Sequence, residues 1–159
     1  MRIGLGYDIH AFARDTDRVL VLGGVIFPGE PGLAGHSDAD VVLHAISDAL
    51  LGAHALGDIG DHFPPGDPAW LNADSRALLR AVCQLLPARV NIGNVDVTVI
   101  AERPRIAARR DDMRAAIAAV LEIGRERVSV KATTNETLGA LGRGEGVAAL
   151  AVVLTEDAA

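Results

Sequence analysis

The apolar positions of this chain change period along its length. The opening MRIGLGYDIH and then RVLVLGG and VIFPG are short apolar runs bounded by turn residues, and predict a first strand followed by a hairpin about Gly23 and Gly24. Across HSDADVVLHAISDALLGAHALG the period becomes helical, with Val41, His44, Ala45, Asp48 and Leu51 or Gly52 on related turns. This predicts a helix over about 38–55, with Ser37 and Asp40 spaced as a capping box at its start. DIGDHFPPGDPAWLNA, with three prolines, reads as a long loop of functional kind, a candidate lid. A second helix is expected over 74–86, ended by Pro87, and the alternation in NVDVTVIAE predicts a strand. Pro104 then introduces a third helix in RIAARRDDMRAAIAAVLEIG, with Gly124 marking its end. RVSVKATT and GVAALAVVLTE complete the strands, joined by the glycine-rich LGALGRGEG.

Strands interleaved with three helices imply an α/β (α+β) layer fold with the helices on one sheet face. GVAALAVVL is apolar on both of its faces, so the opposite sheet face also calls for cover. Three helices are too few to cover both, which predicts oligomerisation through the second face.

At 159 residues and 50% hydrophobic content, the chain is expected to form one domain over 1–159. Its net charge of −6, with the arginines scattered rather than striped, argues against a nucleic-acid surface. No apolar run reaches the roughly 18 residues of a membrane span, and no leader pattern opens the chain; a soluble, intracellular protein is expected. The one cysteine, Cys83, sits in the apolar run LLRAVCQLL and reads as a buried thiol.

Candidate chemistry concentrates near the N-terminus, where all five histidines fall between positions 10 and 62. Asp8 and His10, two apart on a strand, share a face and can share one ion or proton. His44, four residues after Asp40 on one helical face, or His36 would complete a two-His, one-Asp set of the kind that leaves a Zn²⁺ coordination position open. His36 and Ser37, at the opening of the first helix, either bind an anion there or form an ordinary cap. KATTNE and GRGEG gather Lys131, two hydroxyls, Glu136 and Arg143 in turns that suit phosphate contacts or are simply solvated. Glu136 could hold a hard cation such as Mg²⁺.

RIGLGYDIHAF, GHSDADVVLHAISDALLGAHALGDIG, NVDVTVIAERPRI and VKATTNETLGALGRGEG, in this order from residue 2 to about 154, resemble the 2-C-methyl-D-erythritol 2,4-cyclodiphosphate synthases of non-mevalonate isoprenoid biosynthesis. The resemblance implies a single-layer mixed β-sheet covered on one face by helices, in a homotrimer with the sheets facing the trimer centre and active sites between subunits. It implies a phosphorus–oxygen lyase that converts 4-diphosphocytidyl-2-C-methyl-D-erythritol 2-phosphate to the cyclodiphosphate and CMP, in the bacterial cytoplasm. By the same resemblance Asp8, His10 and His44 hold Zn²⁺, and Glu136 holds a second ion, Mg²⁺ or Mn²⁺. His36 and Thr134 take the catalytic positions that stabilise the transition state. Substrate contacts fall on Asp8, His10, His36 and Ser37, on the turn Asp58, Ile59 and Gly60, and on the segment Phe63, Pro64, Pro65, Gly66 and Asp67. The neighbouring subunit supplies Ala101, Glu102, Arg103, Pro104, Arg105, Ile106 and Ala107, with Thr133, Thr134, Asn135 and Glu136, as the cytidine and diphosphate pocket. Arg143 and Glu145 match the polar rim of a central cavity able to take isoprenoid diphosphates. The chain departs from the family pattern at Ala140, where many relatives carry Phe, and at Asn135 and Arg105, which replace a common Thr and Lys. On the residues alone, a zinc phosphohydrolase and a non-catalytic metal-binding trimer are the rival readings.

Overall fold

A computed structural model describes residues 1–14 and 17–157; positions 15–16 and the end of the expected 1–159 unit lie outside the described residues. Strand β1 (Arg2–Ala11) is followed by the hairpin β2 (Val19–Leu22) and β3 (Val25–Pro31), then helix α1 (Val41–Ala53) and the short α2 (Ile59–His62). Helix α3 (Ser75–Leu85), strand β4 (Val90–Ile100), helix α4 (Arg110–Leu121), strand β5 (Val128–Thr133), the single turn α5 (Gly139–Gly142) and strand β6 (Gly146–Asp157) complete the order. The main sheet runs β1-β6-β4-β5, antiparallel except for the parallel pair β4/β5, so it is mixed as expected, and β2/β3 form a separate two-stranded ribbon. Helices α1, α3 and α4 lie over one face of the sheet, and Leu43, Ile46, Leu50, Leu79, Met113 and Ile117 meet Val95, Val97, Val99 and Val153 in the core between.

Alternation in β1 determines how closely α1 can approach. The even-numbered residues Gly4, Gly6, Asp8 and His10 face the helix, while Ile3, Leu5, Tyr7 and Ile9 point the other way, 70%, 65%, 51% and 46% exposed. A Cβ on Gly4 would lie 1.7 Å from the Ala49 carbonyl oxygen, and one on Gly6 1.9 Å from that of Ala45. With no side chain at either glycine and only methyl groups at Ala45 and Ala49, the helix rests on the strand backbone.

Four local expectations are corrected. The first helix is capped by Asp40, not Ser37: Ala39 has φ of +59°, and the Asp40 carboxylate accepts from Val42 and Leu43 N–H. Asp40 therefore does not share a helical face with His44. Its carboxylate is fully buried and also takes the N–H groups of Gly23 and Gly24 at 2.8 and 2.7 Å, tying the ribbon to the helix; burial pushes its pKa up to about 6 against these donors. The third helix begins at Arg110, after a 3-10 turn over Ile106–Ala108, and ends at Glu122 rather than at Gly124, because Glu122 turns left-handed and lets the Ile123 N–H close on the Ala118 carbonyl at 3.1 Å. Strand β4 starts at Val90, earlier than its alternation suggests, with a register shift between Ile92 and Asn94 that hides its period. The 58–73 segment is less irregular than expected, containing α2 and a 3-10 turn over Pro68–Trp70.

The contact between α1 and β1 makes a stability prediction. Gly6→Ala, which must displace the helix backbone, lowers unfolding stability by about 3 kcal/mol in urea titrations. Gly52→Ala, in the same helix with open space at its Cβ, raises stability by about 0.5–1 kcal/mol through helix propensity.

Candidate functional site

Resting α1 on β1 sets His44 against the two strand residues. Asp8 Oδ2 lies 3.2 Å from His10 Nε2 and 2.9 Å from His44 Nδ1. All three ligand atoms fall within 4.8 Å of one another, and this is the one group of three or more such residues suited to a metal ion among the described residues. A tetrahedral ion with bonds of about 2.0–2.1 Å holds its ligand atoms about 3.3 Å apart, close to what is seen. His44 rather than His36 completes the set.

The donor chemistry fits a cation. His10 Nδ1 lies 2.6 Å from the Ala34 carbonyl, which can only accept, so Nδ1 carries the proton and Nε2 presents a lone pair. That lone pair faces the Asp8 carboxylate, itself an acceptor. Two acceptors in contact require a positive charge between them, either a proton or a metal ion. Burial raises the Asp8 pKa, but hydrogen bonds and charge from His10 and His44 outweigh it and hold the carboxyl well below the usual range. The hydrogen bond from Asp8 pushes His10 upward against burial.

The surrounding residues form a wall on one side of this centre. Ser37 Oγ is 3.2 Å from His44 Nε2, and Arg18 donates to the Ser37 carbonyl. His36 Nε2 donates to the Asp67 carbonyl at 2.8 Å and the Asn72 N–H to the His36 carbonyl at 2.8 Å, so the Phe63–Asp67 segment closes onto His36. Phe63 packs edge-on to Trp70, with ring centres 5.0 Å apart. Asp58 caps α2, and Asp48 of α1 accepts the Ile59 N–H at 2.8 Å, fixing the Asp58–Gly60 turn one helical turn from His44. Pro64 accepts from the Asp67 N–H, with Pro65 and Gly66 between.

A second set gathers at the far edge of the sheet. Ala101, Glu102, Pro104, Arg105, Ile106 and Ala107 line a cavity of about 460 Å³ with Thr133 and Thr134, joined by Arg110 and Ala132. Glu102 accepts the N–H groups of Asn135 and Thr137 at 3.0 and 3.5 Å, clamping the turn after β5, where Glu136 has φ of +49° and accepts from Thr134 Oγ at 3.0 Å. Arg103 lies apart from this cavity, its guanidinium 4.7 Å above the Phe12 ring. Arg143, exposed, pairs with Glu145 beside the start of β6. Because β1 and β4 both run antiparallel to β6, Asp8 and His10 share one end of the sheet with this cavity, but on the other side of β6: β4 and β5 stand two and three strand spacings from β1, about 10 and 14 Å.

Asp48, Arg110 and the Ala34 carbonyl were not among the sequence-derived candidates. Asp48 was within reach, four residues beyond His44 on the same helical face, whereas Ala34 is a backbone partner that only the fold reveals.

A mixed sheet under one layer of helices, with an Asp-His-His cluster where its edge strand meets a helix, defines an α/β protein with a metal-competent centre. The YgbB family model matches residues 1–156, and the chain belongs to that family. It is 57% identical over 99% of its length to the 2-C-methyl-D-erythritol 2,4-cyclodiphosphate synthase of Moorella thermoacetica, covering 96% of that protein. Among solved structures it resembles the bifunctional IspDF of Campylobacter jejuni, at 38% identity and a TM-score of 0.92 over 98% of this chain, while spanning 42% of that longer chain. It also resembles the Plasmodium falciparum IspF–CDP complex, at 36% identity and a TM-score of 0.86, with 99% and 97% of the two chains covered. No described helix is long and apolar enough to cross a membrane.

The donor set predicts how metal affinity depends on pH. A metal ion must displace the proton that Asp8 helps His10 retain, so zinc affinity in chelator competition weakens as pH falls, beginning above the ordinary histidine value. His44→Ala, which removes one of three ligands, weakens it by about 100-fold or more.

Proposed function

We propose that this chain is a 2-C-methyl-D-erythritol 2,4-cyclodiphosphate synthase, working as a single domain over 1–159. The observation that supports this most directly is the convergence of Asp8, His10 and His44 within 4.8 Å, the His10 lone pair facing a carboxylate. In the reaction, a 2-phosphate oxygen of 4-diphosphocytidyl-2-C-methyl-D-erythritol 2-phosphate bonds to the β-phosphorus. The bond from that phosphorus to the α-phosphate bridging oxygen breaks, and CMP leaves with its electron pair. The attacking phosphate is already ionised, so no protein nucleophile or strong base is required, and the work is positioning and electrostatic stabilisation.

Zn²⁺ on Asp8, His10 and His44, and Mg²⁺ or Mn²⁺ on Glu136, supply Lewis-acid polarisation and charge screening when bound. The protein residues orient the two ends of the substrate. His36 is assigned to the phosphate side of the centre, with Ser37 beside it and Thr134 providing a hydroxyl at the opposite end. The Asp58–Gly60 turn, pinned by Asp48, holds the erythritol, and the Phe63–Asp67 segment excludes water above it. The cavity of Ala101–Ala107 and Thr133–Thr134 receives the cytidine diphosphate, with Arg105 and Arg110 as its cations. The CDP in the Plasmodium falciparum structure supports this choice of ligand.

We read the two half-sites on opposite sheet edges as meeting across subunits of a homotrimer. The exposed stripe Ile3, Leu5, Tyr7 and Ile9 supports burial of that sheet face toward the trimer centre. The Arg143–Glu145 pair would then rim a central cavity able to take an isoprenoid diphosphate. The assignment fits a protein of the bacterial cytoplasm.

Two measurements test this reading. Incubation with the cytidylated substrate, Zn²⁺ and Mg²⁺ yields CMP and a cyclic diphosphate by phosphorus NMR; release of inorganic phosphate or an open-chain diphosphate instead makes the protein a hydrolase. Light scattering gives a mass three times the 16.6 kDa chain, and a stable monomer removes the subunit-spanning site.

A further inference from the structure

His44 offers Nδ1 to the metal centre and turns Nε2 inward, 3.0 Å from the Ser75 hydroxyl. Ser75, the first residue of α3, is 1% exposed, and its hydroxyl contacts Asp38 Oδ1 while its backbone N–H donates to Asp38 Oδ2 at 3.0 Å. Asp38 is fixed further by the Asp40 N–H at 3.3 Å, and its own N–H donates to the Ala73 carbonyl at 3.0 Å.

Counting protons along this chain gives it a direction. An ionised carboxylate only accepts, and a serine hydroxyl has one proton to give. That proton goes to Asp38, so Ser75 Oγ can only accept from His44. His44 therefore carries its proton on Nε2 and keeps Nδ1 bare toward Asp8 and His10. Ser37 Oγ, 3.2 Å from Nε2, is a weaker second acceptor, its own oxygen already taking the Ala39 N–H at 3.1 Å.

We propose that Asp38, acting through Ser75, is a positioning residue that fixes which nitrogen of His44 is offered to the metal ion. The proposal rests on the metal reading of Asp8, His10 and His44. It gives His44 the same arrangement the Ala34 carbonyl gives His10: an acceptor behind the ring that holds the distal proton and leaves the proximal lone pair free. In Asp38→Asn the side-chain amide can donate to Ser75 Oγ. The serine proton then turns to His44 Nε2, competes with the Nε2–H form and favours the wrong tautomer for binding.

The test is zinc binding by chelator competition, read together with the His44 side-chain N–H signal of zinc-loaded, ¹⁵N-histidine-labelled protein. Ser75→Ala and Asp38→Asn each weaken zinc affinity by about 10- to 100-fold, and the Nε2–H resonance, slow to exchange in the parent, broadens or disappears. Ser75→Thr, which keeps the hydroxyl, restores both. Circular dichroism of the metal-free proteins identifies any variant that fails to fold. If Asp38→Asn does so, the comparison of Ser75→Ala with Ser75→Thr decides the matter. Zinc affinity within about threefold of the parent, with the Nε2–H signal unchanged, overturns the proposal and leaves the metal site intact. A parent protein that binds no zinc overturns the metal reading itself, and the proposal with it.

Discussion

Everything at the Asp8-His10-His44 cluster depends on how closely a helix can lie on a strand. Gly4 and Gly6 leave the backbone of β1 bare, and Ala45 and Ala49 of α1 settle on it so closely that a single methyl group would overlap a carbonyl oxygen. From that contact the rest follows by geometry. Ala45 adjoins His44 in the helix, and Gly6 precedes Asp8 on the same strand face, so packing the small residues delivers the imidazole to the carboxylate. The placement of the three side chains is thus a product of core packing.

The second determinant is the arrangement of acceptors behind the histidines. A neutral imidazole can bind an ion through either nitrogen, and a flexible ring would spend part of its time in the wrong form. Here His10 is backed by a main-chain carbonyl from the segment preceding α1, and His44 by side chains that α3 and the loop before α1 bring together. Besides the strand and helix that carry the three side chains, the connection between β3 and α1 and the start of α3 therefore also converge on the centre. The cavity of the Ala101–Ala107 segment is organised by the same means: the Glu102 carboxylate gathers the backbone N–H groups of the turn after β5.

Sequence patterns revealed the parts of this arrangement that are local. Period two put Asp8 and His10 on one face, and period 3.6 placed His44 on a helix, though it could not choose between His44 and His36 because that choice depends on where the helix starts. The misreading of Asp40 has the same origin. Ser37 and Asp40 have capping-box spacing, but Ala39 turns left-handed, and a carboxylate that satisfies Gly23 and Gly24 as well as two helix N–H groups is worth more at the cap than on a face. Those glycines are more than fifteen residues away, and no window along the chain contains both. Ser75 and Asp38 were illegible for the same reason. The helix end at Glu122 was missed because glycine is the usual left-handed residue, and a glycine two positions later drew the boundary to itself.

The ten residues of β1 therefore carry two messages on alternate letters. Even positions are the bare backbone and the ligands; odd positions are the apolar stripe on the reverse side. Inserting or deleting one residue would exchange the two sets, turning ligands outward and driving isoleucine and leucine into the helix. Substitution at the odd positions leaves the even ones undisturbed, but length cannot change without scrambling both. The strand therefore acts as a fixed ruler: its spacing sets where the helix rests and where the two polar side chains emerge.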